Sequence, residues 1–148
     1  MHVTVEYNPQ SYEYYLSPVF VTFPELEKTL LEDFRAYKAS GVLPSYFGRD
    51  TAYDRPEDIQ DSGLFHVHLM IGDDKFALPP KTVNVSDQKT VQWYRTSDTA
   101  LVYARSLLDE HSYSLIAVFT PPAHGKAQNY DRMRILAGYA REFSERVD

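Results

Sequence analysis

Residues 113–120, YSLIAVFT, constrain the fold more than any other stretch of this chain. The run is apolar at both odd and even positions and is followed by Pro121-Pro122. A strand with two apolar faces must be covered on both sides, so the run predicts a central strand with layers above and below. Two segments have the pattern of those covers. Thr22 and Glu25 fit a capping box around Pro24, Leu26, Leu30, Phe34 and Tyr37 recur at helical spacing, and Gly41 supplies a stop; a helix is expected over about 23–40. A second helix over about 126–146 places Tyr130, Met133, Ala137, Ala140 and Phe143 on one face, with Arg134 and Arg141 on another.

Further strands are expected around Val3, Val5 and Tyr7, through Val19 and Val21, and over 64–71, 91–96 and 99–107. Residues 41–63 have no steady period and are acidic, which predicts a long loop, either a solvated acidic surface or a functional segment. Together these give an α+β fold: a single antiparallel sheet of about four to six strands packed by an N-terminal and a C-terminal helix. No repeat or linker divides the 148 residues, so one domain is expected, with 1–17 as an N-terminal extension. The chain has no cysteine, which excludes disulfides and Cys-ligated metal. It lacks a membrane-length apolar run and a signal-peptide pattern, so a cytoplasmic protein is expected.

The formal net charge is −6, which argues against general affinity for nucleic acid. Residues 1–74 carry 13 acids against 5 bases and residues 75–148 carry 8 against 10, so a polyanion should meet the second half. Twelve tyrosines, eight phenylalanines and one tryptophan suit either an interaction surface or amphipathic strands.

His66 and His68 are two apart in a strand and therefore share a face. They fit three readings: a pair of metal ligands needing a third, such as His124 or an Asp; general acid/base chemistry; or two half-exposed histidines without a special role. Tyr103 and Arg105 share a face of their strand, and Arg95 precedes them; guanidinium groups clamp phosphate, although strand arginines also cover apolar surface with their stems. His124 and Lys126 stand near the start of the last helix, either as an anion site or as ordinary loop residues. Glycine-rich phosphate loops, nucleophile elbows and zinc-helix motifs are absent.

GVLPSYFGRD (41–50), Tyr53-Asp54, HVHL (66–69), RTSDTALVY (95–103), Asp109-Glu110, LIAVF (115–119) and Pro122 with His124 resemble the YafO family of bacterial type II toxins. The resemblance runs from about 18 to 144, with 72–92 expanded, and the architecture resembles RelE-like toxins. It implies a ribosome-dependent mRNA endonuclease neutralised by a cognate antitoxin, without metal or other cofactor. Its partners would be the antitoxin, the ribosome and translated mRNA, with no membrane contact and no DNA contact by the toxin alone. The matched positions are Arg49, Asp50, His66, His68, Arg95, Asp98, Tyr103 and His124.

The expected catalytic set is His66, His68, Arg95, Tyr103 and His124, with a histidine as acid or base, Arg95 as phosphate clamp and Tyr103 for stacking or proton transfer. Arg49, Asp50, Asp98, Arg105 and Lys126 are expected to meet RNA or ribosome. The rival readings are a catalytically silent protein-binding module and a metal-dependent hydrolase built on His66 and His68.

Overall fold

The computed structural model describes residues 2–53, 57–83 and 86–147. Five strands form one mixed sheet in the order β1-β5-β4-β3-β2: β1 Thr4–Tyr7, β2 Phe47–Ala52, β3 Leu64–Leu69, β4 Ala100–Arg105 and β5 Ser112–Phe119. The two-faced run is β5. It is interior, antiparallel to β4 on one side and parallel to β1 on the other; the middle position belongs to β4. The parallel β1–β5 pair is the one departure from an antiparallel sheet. It is held at its end by fully buried Asn8, whose amide donates to Ser114 Oγ at 3.1 Å while its side-chain oxygen accepts from the Gln10 and Ser11 N–H groups.

Helix α2 (Pro24–Ser40) covers one face, burying Leu26, Leu30 and Phe34 against Phe47, Val67, Leu69, Leu101, Tyr103 and Leu115. Gly41, with φ 78°, closes it in the left-handed conformation that glycine adopts without strain. Helix α6 (Tyr130–Val147) covers the other face with Met133, Leu136, Ala137, Ala140 and Phe143 against Leu64, Val102, Ile116 and Ala117. A bulge between Val102 and Tyr103 against β5 lets the consecutive Ile116 and Ala117 both enter this second core.

Several local expectations change. Val19 and Val21 lie in helix α1 (Ser17–Thr22), not in a strand: a π-helical turn over Tyr12–Leu16 runs directly into it, and Pro18 sits in its first turn. Thr22 and Glu25 form no capping box, because Phe23 is the cap residue and its non-helical backbone separates α1 from α2. Residues 91–96 are not a strand either. Asp87 accepts from the Thr90 N–H at 2.9 Å and starts helix α4 (Gln88–Tyr94).

The acidic stretch 41–63 holds β2 and the short helix α3 (Glu57–Gln60). A register break between Phe47 and Asp50 destroyed the alternation that marks a strand. Gly48 is needed there: a Cβ would lie 2.2 Å from the Arg95 carbonyl oxygen, and the Arg49 N–H donates to that same oxygen at 2.9 Å. The expected last helix is two: α5 (Ala123–Ala127), then α6, restarted where Asn129 accepts from the Arg132 N–H. Tyr130, expected on the apolar face, is 46% exposed.

Candidate active site

Strand parity sends neighbours on β3 to opposite layers. Val67 and Leu69 enter the α2-side core, while His66 and His68 point to the α6 side. Helix α6 covers Leu64 but leaves the histidine end of that face open, where α5 forms the opposite wall. The result is a cleft of about 250 Å³ lined by Tyr53, His66, His68, Ser97, Ala100, Ala123, His124, Ala127 and Gln128. Three histidines from two separate elements thus meet in one cavity.

His66 stacks on Tyr53 with ring centroids 4.3 Å apart and planes within 20°, and its ring lies 5.6 Å from that of His68. The Tyr53 hydroxyl is pushed up by burial and stays protonated. His68 Nδ1 is 2.9 Å from the Ser97 carbonyl oxygen and 3.0 Å from the Ser97 N–H. The Ser97 backbone can therefore accept from Nδ1–H through its carbonyl or donate to Nδ1 through its N–H, and in the first case Nε2 is the nitrogen able to take a proton. Ser97 is fixed in turn: its hydroxyl donates to the Leu69 carbonyl at 2.6 Å, and Asp74 accepts from the Asp98 N–H at 2.9 Å and the Thr99 hydroxyl at 2.7 Å.

Burial is the main cause that lowers the proton affinity of His68 below the ordinary histidine value. The Ser97 bond opposes it, the Arg49 charge adds to it, and Asp74 and Asp98 oppose it weakly. The shift favours the neutral ring, the form a proton acceptor needs. His124 is exposed on α5, with Gln128 Nε2 3.2 Å from its Nε2. Asp98 ties α5 to the sheet: its carbonyl accepts from the Ala123 N–H at 3.2 Å and its carboxylate from the His124 N–H at 3.4 Å.

The other expected catalytic residues stand elsewhere. Tyr103 is on the α2 side of β4, 2% exposed, so it offers no stacking plane to a base. Its hydroxyl donates to Asp50 Oδ1 at 2.6 Å and accepts from Lys38 Nζ at 3.0 Å, and burial drives its acidity far down. Arg95 bonds the Phe47 carbonyl at 3.2 Å and the Ser45 carbonyl at 3.4 Å, both through Nη1, which anchors residues 95–97 to β2 and leaves the Arg95 side chain outside the histidine cleft.

The Asp50 carboxylate accepts from Tyr37 at 2.8 Å, Lys38 at 3.1 Å and Tyr103, so its charge is taken up by protein partners. Arg105 lies over Phe65 on the Tyr103 face, and Lys126 donates to the Thr120 carbonyl at 2.8 Å. Arg49 alone of the expected RNA contacts brings a positive charge to bear on His68. Among the described residues no group of three or more His, Cys, Asp or Glu side chains is disposed to hold a metal ion.

A family profile described as "Toxin YafO, type II toxin-antitoxin system" matches residues 35–145. The chain belongs to the YafO toxin family. It is 35% identical over 130 residues to a protein named "mRNA interferase toxin YafO" from Escherichia coli (strain K12), a match covering 85% of this chain and 90% of that one. No solved structure matches it significantly. The single sheet with helices at both ends is consistent with a RelE-like arrangement. The YafO match includes β3, β4, β5, α5 and the whole histidine cleft. No helix among the described residues is long and apolar enough to cross a membrane.

Reading residues one at a time missed Tyr53, Ser97, Asp74 and Gln128. Tyr53 stands within a quoted motif, but its stacking on His66 depends on the pairing of Ala52 with Phe65 across β2 and β3. Ser97 acts through its backbone, which no side-chain motif reports.

Proposed function

We propose that this protein is the toxin of a type II toxin–antitoxin pair and cuts mRNA by transesterification in the His66–His68–His124 cleft. The convergence of those histidines on one cavity, with burial favouring the neutral form of His68, is the observation that carries the reading. With Nδ1–H donated to the Ser97 carbonyl, His68 Nε2 takes the proton of an RNA 2′-hydroxyl. The 2′-oxygen attacks the adjacent phosphorus, the bond from phosphorus to the 5′-oxygen breaks, and His124 protonates that leaving oxygen. The products are a 2′,3′-cyclic phosphate and a 5′-hydroxyl. Arg49 supplies positive charge for the phosphoryl oxygens. Tyr53 holds the His66 ring beside the base, and Asp98 holds α5 so that His124 faces it.

The net charge of −6 leaves little unaided attraction for a phosphate chain. We therefore place the reaction on the ribosome, which delivers and orients the mRNA strand. In this reading the toxin works in the cytoplasm, acid/base chemistry cuts the strand without a metal, and a cognate antitoxin restrains it. Purified protein should cut translated mRNA in the presence of EDTA and leave the same RNA intact when ribosomes are omitted. Equal cutting of free RNA refutes the ribosome dependence. No cutting in either setting, from folded protein, refutes the nuclease reading and favours a silent binding module.

A further inference from the structure

We propose that Trp93, Arg49 and Lys89 form a nucleotide subsite beside the histidine cleft, taking a base and a phosphate of the mRNA strand next to the cut bond. This rests on the proposed mRNA cleavage. Trp93 is the chain's single tryptophan, and it is 52% exposed on a helix that is otherwise firmly anchored. Helix α4 is started by the Asp87 cap, and Gln92 Nε2 donates to the Gly48 carbonyl at 3.0 Å and to the Tyr37 hydroxyl at 2.8 Å. The indole is thus held out into solvent by a fixed backbone. Arg49 lies on it, with the guanidinium carbon 4.0 Å from the ring centroid and Nε donating to the Trp93 carbonyl at 2.7 Å.

Arg49, Asp50, Lys89, Gln92 and Trp93 line a shallow cleft of about 150 Å³, a size that suits a phosphate and not a whole nucleotide. Asp50 is the one acid among the lining residues, and its carboxylate is taken up by Tyr37, Lys38 and Tyr103. A half-exposed indole beside two cations is the combination that binds single-stranded nucleic acid: the base stacks and the phosphate meets the charges. The β2–β3 register sets Arg49 against the His68 stretch, Phe47 pairing with Leu69 and Asp50 with Val67, so one RNA strand can reach both places. A protein partner would find a charged, largely polar cleft here, which favours RNA as the occupant.

Because Trp93 is the chain's one tryptophan, its fluorescence reports on this place alone. The full-length protein is titrated at low salt with a 2′-O-methyl oligoribonucleotide, which cannot be cut. Saturable quenching is expected, with the midpoint moved about 10-fold weaker in Lys89→Ala, the order that a lost contact in a stacking site carries. In the ribosome assay Trp93→Ala should raise KM and alter which positions of the mRNA are cut, while the pH profile stays that of the parent. Absent quenching, or an unchanged cutting pattern in folded Trp93→Ala, overturns the subsite. Quenching by the cognate antitoxin alone assigns the surface to that protein, and weakened binding to mRNA-free ribosomes assigns it to ribosomal RNA; each overturns the proposal. Quenching without any mRNA cleavage supports the subsite and refutes the cleavage reading, whereas cleavage without quenching does the reverse.

Discussion

The two faces of this sheet are made from the same strands yet do opposite things with their polar groups. On the α2 side, Tyr103, Asp50, Lys38, Tyr37 and Gln92 bond to one another in a closed set, packed among Phe34, Phe47 and Tyr113. On the α6 side, His66, His68 and His124 meet in a cavity whose mouth is open. Alternation along β3 puts one residue in each world at every step. The difference lies in cover: α2 spans its face, whereas the break at Asn129 turns α5 aside and leaves the end of the other face unsealed. Polar side chains under full cover must satisfy one another, whereas those at the gap border an open cavity that a substrate can enter.

Removing His68 should break the contrast most sharply. His68→Ala should cost about 10²–10⁴ in the rate of mRNA cleavage, the range for a lost general base, while the thermal midpoint moves little. Cleavage at the parental rate would move the chemistry out of the cleft. The mirror experiment is Asp50→Ala, which strips the partner from Lys38 and from the Tyr103 hydroxyl inside the closed face. An uncompensated buried charge costs about 3–5 kcal/mol; Lys38 retains some solvent contact, so about 2–3 kcal/mol of unfolding free energy is expected. Urea unfolding measures it. Whatever fraction remains folded should keep the parental turnover at saturating mRNA, because Asp50 borders the Trp93 cleft and not the histidine cavity; a folded variant without turnover would make the α2 face part of the catalytic machinery.

How far this contrast was legible beforehand depends on which physical signal each element emits. β5 and α2 announced themselves because burial on two faces and on one helical stripe leaves a period in the residues. β2 did not, because its bulge and Gly48 exist to admit the Arg95 backbone, a long-range contact with no local trace. The β-branched and aromatic content of 91–94 suggested a strand, and the Asp87 cap overrode it. At the site, parity alone places His66 and His68 together, and the sequence order of His124 after β5 is enough to suspect it. Nothing local separates Tyr103 from them, because the side of a sheet to which β4 odd residues point depends on its register with β3. Arg49 was placed among RNA contacts by resemblance; its stacking on Trp93 needed α4 to be known as a helix.

The acidity of the medium should sharpen the comparison more gently. His68 has a lower proton affinity folded than unfolded, so its contribution to stability is fully present above the ordinary histidine pKa of 6.5 and is lost as pH falls below that value toward the folded one. The unfolded chain then binds the proton that the folded chain resists. The acid limb of kcat/KM should accordingly lie below pH 6.5. His68→Asn should flatten the stability profile between neutral pH and pH 5, read from thermal midpoints across the series. An acid limb above 6.5 would mean that the carboxylates of Asp74 and Asp98 outweigh burial and the Arg49 charge at this ring.

The smallest effect expected is at Arg105, and it tests the division of labour between the faces most strictly. Arg105 is exposed at the end of β4, on the Tyr103 side, with its guanidinium 5.5 Å from the Phe65 ring centroid. An exposed cation over an aromatic face contributes about 0.5–1 kcal/mol, so Arg105→Ala should lower stability by no more than that. It should leave cleavage of translated mRNA within about twofold of the parent, because a single solvent-screened charge on the far face adds little to a strand held by the ribosome. Its position beside a buried tyrosine gives it no route to the histidines, which project from the opposite side of the same sheet. A tenfold loss of cleavage in a folded Arg105→Ala variant would require RNA to run across the α2 face well beyond the Trp93 cleft.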